Sequence, residues 1–87
     1  MAAFSIRLAK PAAKDLEALR DPLLRRVFSL LKSLEEDPLP KGAEKLSNRS
    51  EYRLRVGDYR VVYEVDQESK AVLVHRIRHR REVYRNL

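Results

Sequence analysis

Apolar and polar residues alternate with a period of two between Glu51 and Asp66, in the stretch EYRLRVGDYRVVYEVD. This alternation predicts two β-strands joined by a tight turn at Gly57 and Asp58. The predicted register pairs Val56 with Tyr59, Leu54 with Val61, and Tyr52 with Tyr63. Because all six side chains then lie on one apolar face, we assign the three tyrosines to the core.

The other face of this predicted hairpin carries Arg53, Arg55 and Arg60, with Arg55 directly opposite Arg60. Like charges that face each other across two strands destabilise a sheet, so the arrangement indicates a site that needs positive charge. A solvated sheet face, on which arginine is common and harmless, explains the same pattern. The hairpin alone leaves both interpretations open.

Helical periodicity dominates the chain before the hairpin, after a short alternating strand over Phe4 to Lys10. Pro11 to Arg20 is predicted to be a helix that begins at its proline. A second helix runs to about Glu36, with Asp21 as its N-cap and Pro22 at its first position. The residues expected to be buried on these helices are Ala12, Leu16, Leu19, Leu23, Leu24, Val27, Leu30, Leu31 and Leu34, with Phe28 broadening the stripe.

The connections and the end of the chain complete the predicted order. Asp37 to Asn48 is predicted to be a loop, because its prolines and glycine disfavour a helix. A turn over Gln67 to Lys70 leads into a strand over Ala71 to Arg78, which looks buried on both faces near its start, as in a central strand. His79 to Leu87 is predicted to form a final helical turn or two, or a tail.

The order β-α-α-β-β-β predicts an α+β fold, with a helical hairpin packed on one face of a mostly antiparallel sheet of about four strands. The chain has 87 residues, which suits one domain spanning residues 1–87. The sheet face away from the helices would be partly open and lined with arginine, a plausible bed for RNA.

Composition narrows the possible functions. The chain contains no cysteine, which excludes disulfides and cysteine nucleophiles and favours a reducing compartment. No apolar run is long enough to span a bilayer, and the first ten residues lack the apolar segment of a signal peptide, so we expect a cytoplasmic protein without a membrane partner. The net charge is +6, and nine of the ten basic residues after position 48 are arginine, which favours a nucleic-acid partner.

Two stretches, RLRVGDYRVVYEVD and IRHRREVYR, resemble the RelE branch of the RelE/ParE toxin superfamily. The G-D-Y-R-V-x-Y core is typical of the superfamily, and the H-R-x-x-x-Y ending is typical of the RelE side. The resemblance implies a toxin of a toxin–antitoxin pair. RelE members are ribosome-dependent endoribonucleases that cut mRNA in the ribosomal A site, whereas ParE members inhibit DNA gyrase without acting as nucleases.

The resemblance also implies catalytic positions. Arg60 matches the arginine that supports the transition state, and Arg53 and Arg55 match two basic positions that are lysines in the best-known members. Tyr84 matches a tyrosine that contacts the substrate. Arg80 matches the second catalytic arginine, with Arg78 as an alternative because the spacing to the tyrosine is shorter here than in some members.

A metal-independent ribonuclease must deprotonate the 2′-OH, align it with phosphorus, balance the phosphorane charge and protonate the leaving oxygen. His75 lies on the apolar parity of its strand and is expected to be a hydrogen-bonded core residue. His79 matches a position that is often histidine; its place among arginines disfavours its protonated form, which suits a base, although a structural or binding role is equally open. Tyr84 could donate a proton, stack on a base or simply cap the core.

Arginine is a poor base, so Arg53 and Arg55 would balance phosphate charge, and catalysis would depend mainly on electrostatics and alignment. Arg76, Arg78 and Arg81 are expected to bind RNA. No metal ligand cluster and no phosphate-binding loop are recognisable, so no cofactor is expected.

If the resemblance holds, the partners are the ribosome with its mRNA and a cognate RelB-like antitoxin that is acidic where it covers the basic face. Operator DNA would be bound only through the antitoxin complex. A ParE-like gyrase inhibitor, or a toxin that has lost activity and persists as a binding module, are the competing functions. Codon preference, antitoxin identity and complex stoichiometry stay open.

Overall fold

A five-stranded sheet with two helices on one face forms the part of the chain that the computed structural model describes, residues 3–47 and 49–79. The elements are β1 Ser5–Leu8, α1 Lys10–Glu17, α2 Leu23–Leu34, β2 Glu44–Lys45, β3 Tyr52–Val56, β4 Tyr59–Asp66 and β5 Ala71–His79. The strands lie in the order β1-β5-β4-β3-β2, with β1 parallel to β5 and every other pair antiparallel. The predicted α+β class is confirmed.

The hairpin of β3 and β4 has the register that its alternation predicts. Tyr52 pairs with Tyr63, and the ladder continues to Val56 opposite Tyr59 beside the turn. Gly57 has a φ of 58°, in the left-handed region that glycine adopts at low cost. Tyr63 is fully buried and donates a hydrogen bond of 2.8 Å from its hydroxyl to the backbone carbonyl of Pro38.

The core lies between this sheet face and the two helices. Its largest fully buried side chains come from α2, β4 and β5 and are Val27, Leu34, Val61, Tyr63, Val72, Val74 and Ile77. Most of the helix positions predicted to be buried contact this core, but Phe28 is 53% exposed. Phe28 follows Val27 directly, so the helix turns its side chain about 100° away from the core. The expectation that it broadens the buried stripe was therefore wrong.

β5 is the central strand that the sequence predicts, because β1 covers one edge and β4 the other. The side chains of β5, however, do not alternate regularly between the two faces of the sheet. A register shift between Val62 and Tyr63 lets Val74 and Ile77 both reach the core, although they are three residues apart. His75 consequently lies half-buried beside Glu64, on the other face, so the prediction of a core histidine was wrong.

Three local predictions also need correction. The N-cap of α2 is Pro22 without a side-chain hydrogen bond, while the predicted cap, Asp21, instead pairs with Arg25 at 3.5 Å. The predicted loop before the hairpin contains β2, whose two residues pair with Arg53 and Tyr52 and make the sheet five strands wide. β5 continues through His79, which was assigned to the C-terminal segment. No helix in the described ranges is long and apolar enough to cross a membrane.

Candidate functional site

A row of three arginines crosses the sheet on the face away from the helices. Arg55 of β3 lies opposite Arg60 of β4, and Arg60 in turn lies opposite Arg78 of β5. Side chains opposed in this way have Cβ atoms about 5 Å apart. We call Arg55, Arg60 and Arg78 the arginine row; it concentrates three positive charges where packing alone would favour none.

Arg60 at the centre of the row is 3% exposed, the only charged residue among the described ones that is buried to this degree. Its Nη1 donates a hydrogen bond of 3.2 Å to the backbone carbonyl of Tyr59. Burial of a guanidinium is costly, but it lowers the local dielectric and strengthens the field that the charge exerts on a nearby anion. Arg55 is exposed and Arg78 half-buried, so the row is open to a ligand at its flanks.

Two further arginines of the predicted site have acidic partners. Arg53 approaches Glu44 of β2 at 3.8 Å, and its side chain is 18% exposed. Arg76 is held more firmly, because its Nε and Nη2 donate to the carboxylate of Asp15 on α1 at 2.9 and 3.1 Å. The backbone N–H of Ile77 donates to the same carboxylate at 2.9 Å. Asp15 therefore joins α1 to the end of β5 that extends beyond β1, and Arg76 has a structural partner that the sequence did not indicate.

His79 does not join the arginine row. It lies opposite Tyr59, and the two rings meet edge to face with centroids 5.6 Å apart. Because successive side chains of a strand alternate, His79 is on the helix side of the sheet while Arg78 is on the open side. A small cavity of about 140 Å³ lies there, and Asp15, Leu19, Tyr59 and His79 contribute to its lining. The remaining predicted site residues, Arg80, Arg81 and Tyr84, are outside the described residues.

The open face also brings together Glu51, Glu64 and His75, a cluster that the sequence did not predict. Each offers one possible ligand atom, and these atoms lie within 4.8 Å of one another. A bulge in β5 supplies the reason: Val62 and Tyr63 pair with Arg76 and Val74, so His75 is the extra residue, and its Nε2 lies 3.3 Å from the carboxylate of Glu64. This set resembles the oxygen and nitrogen donors that divalent cations use.

Hydrogen bonds account for the electrostatics of this cluster. Desolvation acts to raise the pKa of Glu51, but the hydrogen bond of 2.6 Å from Arg49 Nε and its positive charge, together with hydrogen bonds involving Glu64 and Ser50, outweigh that effect, so the pKa is lowered. Ser50 adds hydrogen bonds from its hydroxyl to Glu51 at 3.3 Å and to Glu64 at 3.0 Å. Glu51 is therefore held as a carboxylate at neutral pH by partners already present in the protein.

Comparisons with known proteins identify the family. The sequence model of the ParE toxin family, described as the ParE toxin of the type II toxin–antitoxin system parDE, matches residues 6–84. The chain belongs to this family of type II toxins. The putative toxin RelE1 of Methanocaldococcus jannaschii is 30% identical over 87 residues, covering 95% of this chain and 97% of that protein.

Solved structures place this toxin on the RelE side. RelE in the archaeal RelE–RelB complex from Pyrococcus horikoshii is 28% identical, with a TM-score of 0.80 over 90% of this chain and 96% of the other. The isolated RelE toxin of E. coli has a TM-score of 0.79 over 98% of this chain and 100% of the other; at 20% identity it supports the fold alone. The protein is thus a RelE-like toxin of a type II toxin–antitoxin system.

Proposed function

We propose that this toxin is a metal-independent endoribonuclease that cleaves mRNA in the ribosomal A site and so inhibits translation. The observation that carries the proposal is the arginine row, with Arg60 buried at its centre between two further arginines. Attack of a 2′-OH on the adjacent phosphate builds negative charge on the phosphorane. Fixed positive charges in a site of low dielectric stabilise that charge more than they stabilise the ground state.

The roles of individual residues follow from their positions. Arg60 would face the phosphorane charge, while Arg55 and Arg78 would hold the phosphates on either side of it. Arg53, two residues before Arg55 on β3, would contribute positive charge beside the arginine row despite its contact with Glu44. Because arginine stays protonated, none of these side chains can act as a base. We therefore assign most of the rate enhancement to electrostatics and to alignment of the RNA by the ribosome.

The C-terminal residues would complete the site. Arg80 would be the second catalytic arginine and Tyr84 the group that stacks on a base or donates a proton, and Arg81 would contribute to RNA binding. Replacement of Tyr84 by Phe separates the two roles of the tyrosine, because it removes the hydroxyl and keeps the ring. If Tyr84→Phe loses cleavage but keeps its affinity for the ribosome, the hydroxyl donates a proton. If Tyr84→Ala binds more weakly while Tyr84→Phe does not, the ring stacks on a base.

The partner that controls this toxin would be a RelB-like antitoxin, since the similar archaeal RelE was solved with RelB. An acidic segment over the arginine row would inhibit the toxin by neutralising charge, and operator DNA would be bound by the antitoxin in the complex. We expect affinity between the two proteins to fall as salt rises. A complex whose dissociation constant stayed constant between 50 mM and 500 mM NaCl would contradict neutralisation.

Primer extension tests the proposed activity directly. Purified toxin is added to an mRNA with and without programmed ribosomes. Cuts that require ribosomes and fall at A-site codons support the proposal. Cuts on naked RNA would instead mean that the chain supplies its own acid–base pair.

Inhibition of DNA gyrase is the second candidate function, because the matching family model is that of a ParE toxin. It requires a binding surface without catalytic groups, so the arginine row would have no catalytic role. A supercoiling assay distinguishes the two. Inhibition of gyrase, together with intact mRNA on programmed ribosomes, would favour the ParE-like activity.

A further inference from the structure

A second basic site lies around the sheet edge from the arginine row, between α2 and the outer side of β3. It is an open pocket of about 370 Å³ lined by Arg25, Arg26, Ser29, Arg55 and Val56. Arg55 belongs to both sites, so the pocket and the arginine row form one continuous basic surface. Neither the catalytic assignment nor the family resemblance gives a role to the three residues from α2.

The local sequence explains how the pocket forms. Ser29 lies four residues after Arg25 and three after Arg26, so the three side chains are neighbours on the helix surface. Across from them, β2 pairs only with Tyr52 and Arg53 of β3. Within the described residues, the outer edge of β3 from Leu54 to Val56 is therefore left uncovered by any strand.

Arg26 of the pocket lies against the turn at Gly57. A Cβ built on Gly57 would lie 3.5 Å from Nη1 of Arg26, so this guanidinium rests against the backbone of the hairpin turn. Three arginines and Ser29 therefore line one open space. Forked guanidinium donors match the oxygens of a phosphate, and the Ser29 hydroxyl can donate one more hydrogen bond.

The one acidic contact recorded at this site among residues 3–47 and 49–79 is weak. Arg25 is paired with Asp21 at 3.5 Å, but the two side chains are 84% and 53% exposed. Such an exposed pair contributes little to stability, so Arg25 can exchange this partner for an anionic ligand at small cost.

We propose that this pocket binds a phosphodiester group of the RNA backbone, as a contact separate from the scissile phosphate. The inference rests on the proposed function in that its ligand is RNA. Phosphates recur along a strand, so a polymer that places one phosphate on the arginine row presents others to a neighbouring basic pocket through Arg55. Contacts of this kind set the position of the strand without reading its sequence.

Binding of an RNA that cannot be cleaved tests the site without involving the chemistry. The test variant is Arg25→Ala/Arg26→Ala, and the control is Lys10→Ala/Lys14→Ala, which removes the same charge from exposed positions on α1. The probes are a labelled single-stranded 2′-O-methyl RNA and, in a second arm, 30S subunits without mRNA. Affinity is measured between 50 and 200 mM salt.

We expect the test variant to bind about tenfold more weakly and to lose about 0.7 from the slope of log K against log salt for each phosphate contact removed. The arm in which this loss is found identifies the source of the phosphate, the message or ribosomal RNA. Ser29→Asp places a carboxylate at the pocket from an exposed helix position and should weaken binding in the same way. This variant keeps the test decisive if the double variant does not fold.

Equal losses in the test and control variants, or no loss in either arm, would overturn the site. Weakened antitoxin binding with unchanged RNA affinity would overturn it too, because the pocket would then hold an acidic peptide. Wild-type toxin that binds both probes but leaves mRNA intact on programmed ribosomes would instead overturn the nuclease and not this contact.

Discussion

Arg60 of β4 lies directly opposite Arg78 of β5, while the residues beside them, Tyr59 and His79, face each other on the opposite side of the sheet. This relationship divides the predicted catalytic residues into two groups. Among the described residues, Arg55, Arg60 and Arg78 share the open face, and His79 lies on the helix side of the sheet against the ring of Tyr59. The arginine row therefore supplies fixed positive charge without the imidazole of His79, which lies on the other side of the sheet.

Replacement of His79 by Gln tests that division. Because His79 lies against the ring of Tyr59, on the side of the sheet away from the arginine row, we expect cleavage on programmed ribosomes to stay within about threefold of wild type. Loss of the edge-to-face contact should lower the free energy of unfolding by about 1 kcal/mol. Single-turnover cleavage and urea unfolding measure the two effects. A loss of more than 100-fold in a folded variant would return His79 to the catalytic site.

Replacement of Asp15 by Ala tests the link between α1 and β5. The variant removes the acceptor for two hydrogen bonds from Arg76 and one from the backbone of Ile77. Because the Asp15 side chain is 14% exposed, we expect the free energy of unfolding to fall by about 2–3 kcal/mol. Chemical denaturation provides the measurement.

Asp21→Ala is the matched control for Asp15, because it removes an exposed carboxylate paired with Arg25. We expect it to change stability by less than about 0.5 kcal/mol. Equal effects of the two substitutions would show that Asp15 contributes no more than a surface ion pair.

The raised pKa of Tyr63 predicts how the free energy of unfolding changes at alkaline pH. Desolvation, followed by the nearby Tyr52 and Asp37, raises the pKa of its hydroxyl from 10.0 to about 12. The unfolded chain then loses this proton at lower pH than the folded protein. The stability due to this shift is therefore fully present below pH 10 and is lost as the pH rises towards 12.

Tyr63→Phe isolates that contribution. We expect wild type to lose about 2–3 kcal/mol more than the variant between pH 10 and 12, since one pKa unit corresponds to about 1.4 kcal/mol. At pH 7 the variant should be less stable by about 1–2 kcal/mol, because the Pro38 carbonyl loses its donor. Denaturant unfolding across this pH range measures both effects. Parallel pH profiles for the two proteins would contradict the assignment.

The pairing of β3 with β4 could be predicted residue by residue because the signals that determine it lie within the hairpin's own sequence. Alternation and a glycine turn fix the register from Tyr52 to Tyr63, and that register alone places Arg55 opposite Arg60. The helix contacts followed from periodicity for the same reason. Phe28 is the exception: it lies next to the buried stripe, and its apolar side chain alone does not tell whether that position faces the core or the solvent.

The features that the sequence did not predict depend on distant partners. The bulge at His75 in β5 changes which residues face the core and brings His75 to Glu64, yet no turn residue marks it. β2 is only two residues long and exists because β3 offers it an edge. In the sequence, Asp15 is one polar helix residue among several. Its role follows only from its contact with Arg76, 61 positions later in the chain. Long-range contacts of this kind leave no periodic signal.

Single-turnover cleavage of A-site mRNA by Arg60→Met tests the central claim most directly. Methionine fills much of the buried space and removes the charge, so the fold should be kept, with an unfolding free energy unchanged or higher because a buried charge beside two like charges is gone. Arg7→Ala, on the exposed surface of β1, is the matched control. We expect the Arg60 variant to cleave about 10²- to 10³-fold more slowly with ribosome binding retained, and the control to match wild type. Wild-type cleavage by a folded Arg60→Met variant would contradict the account.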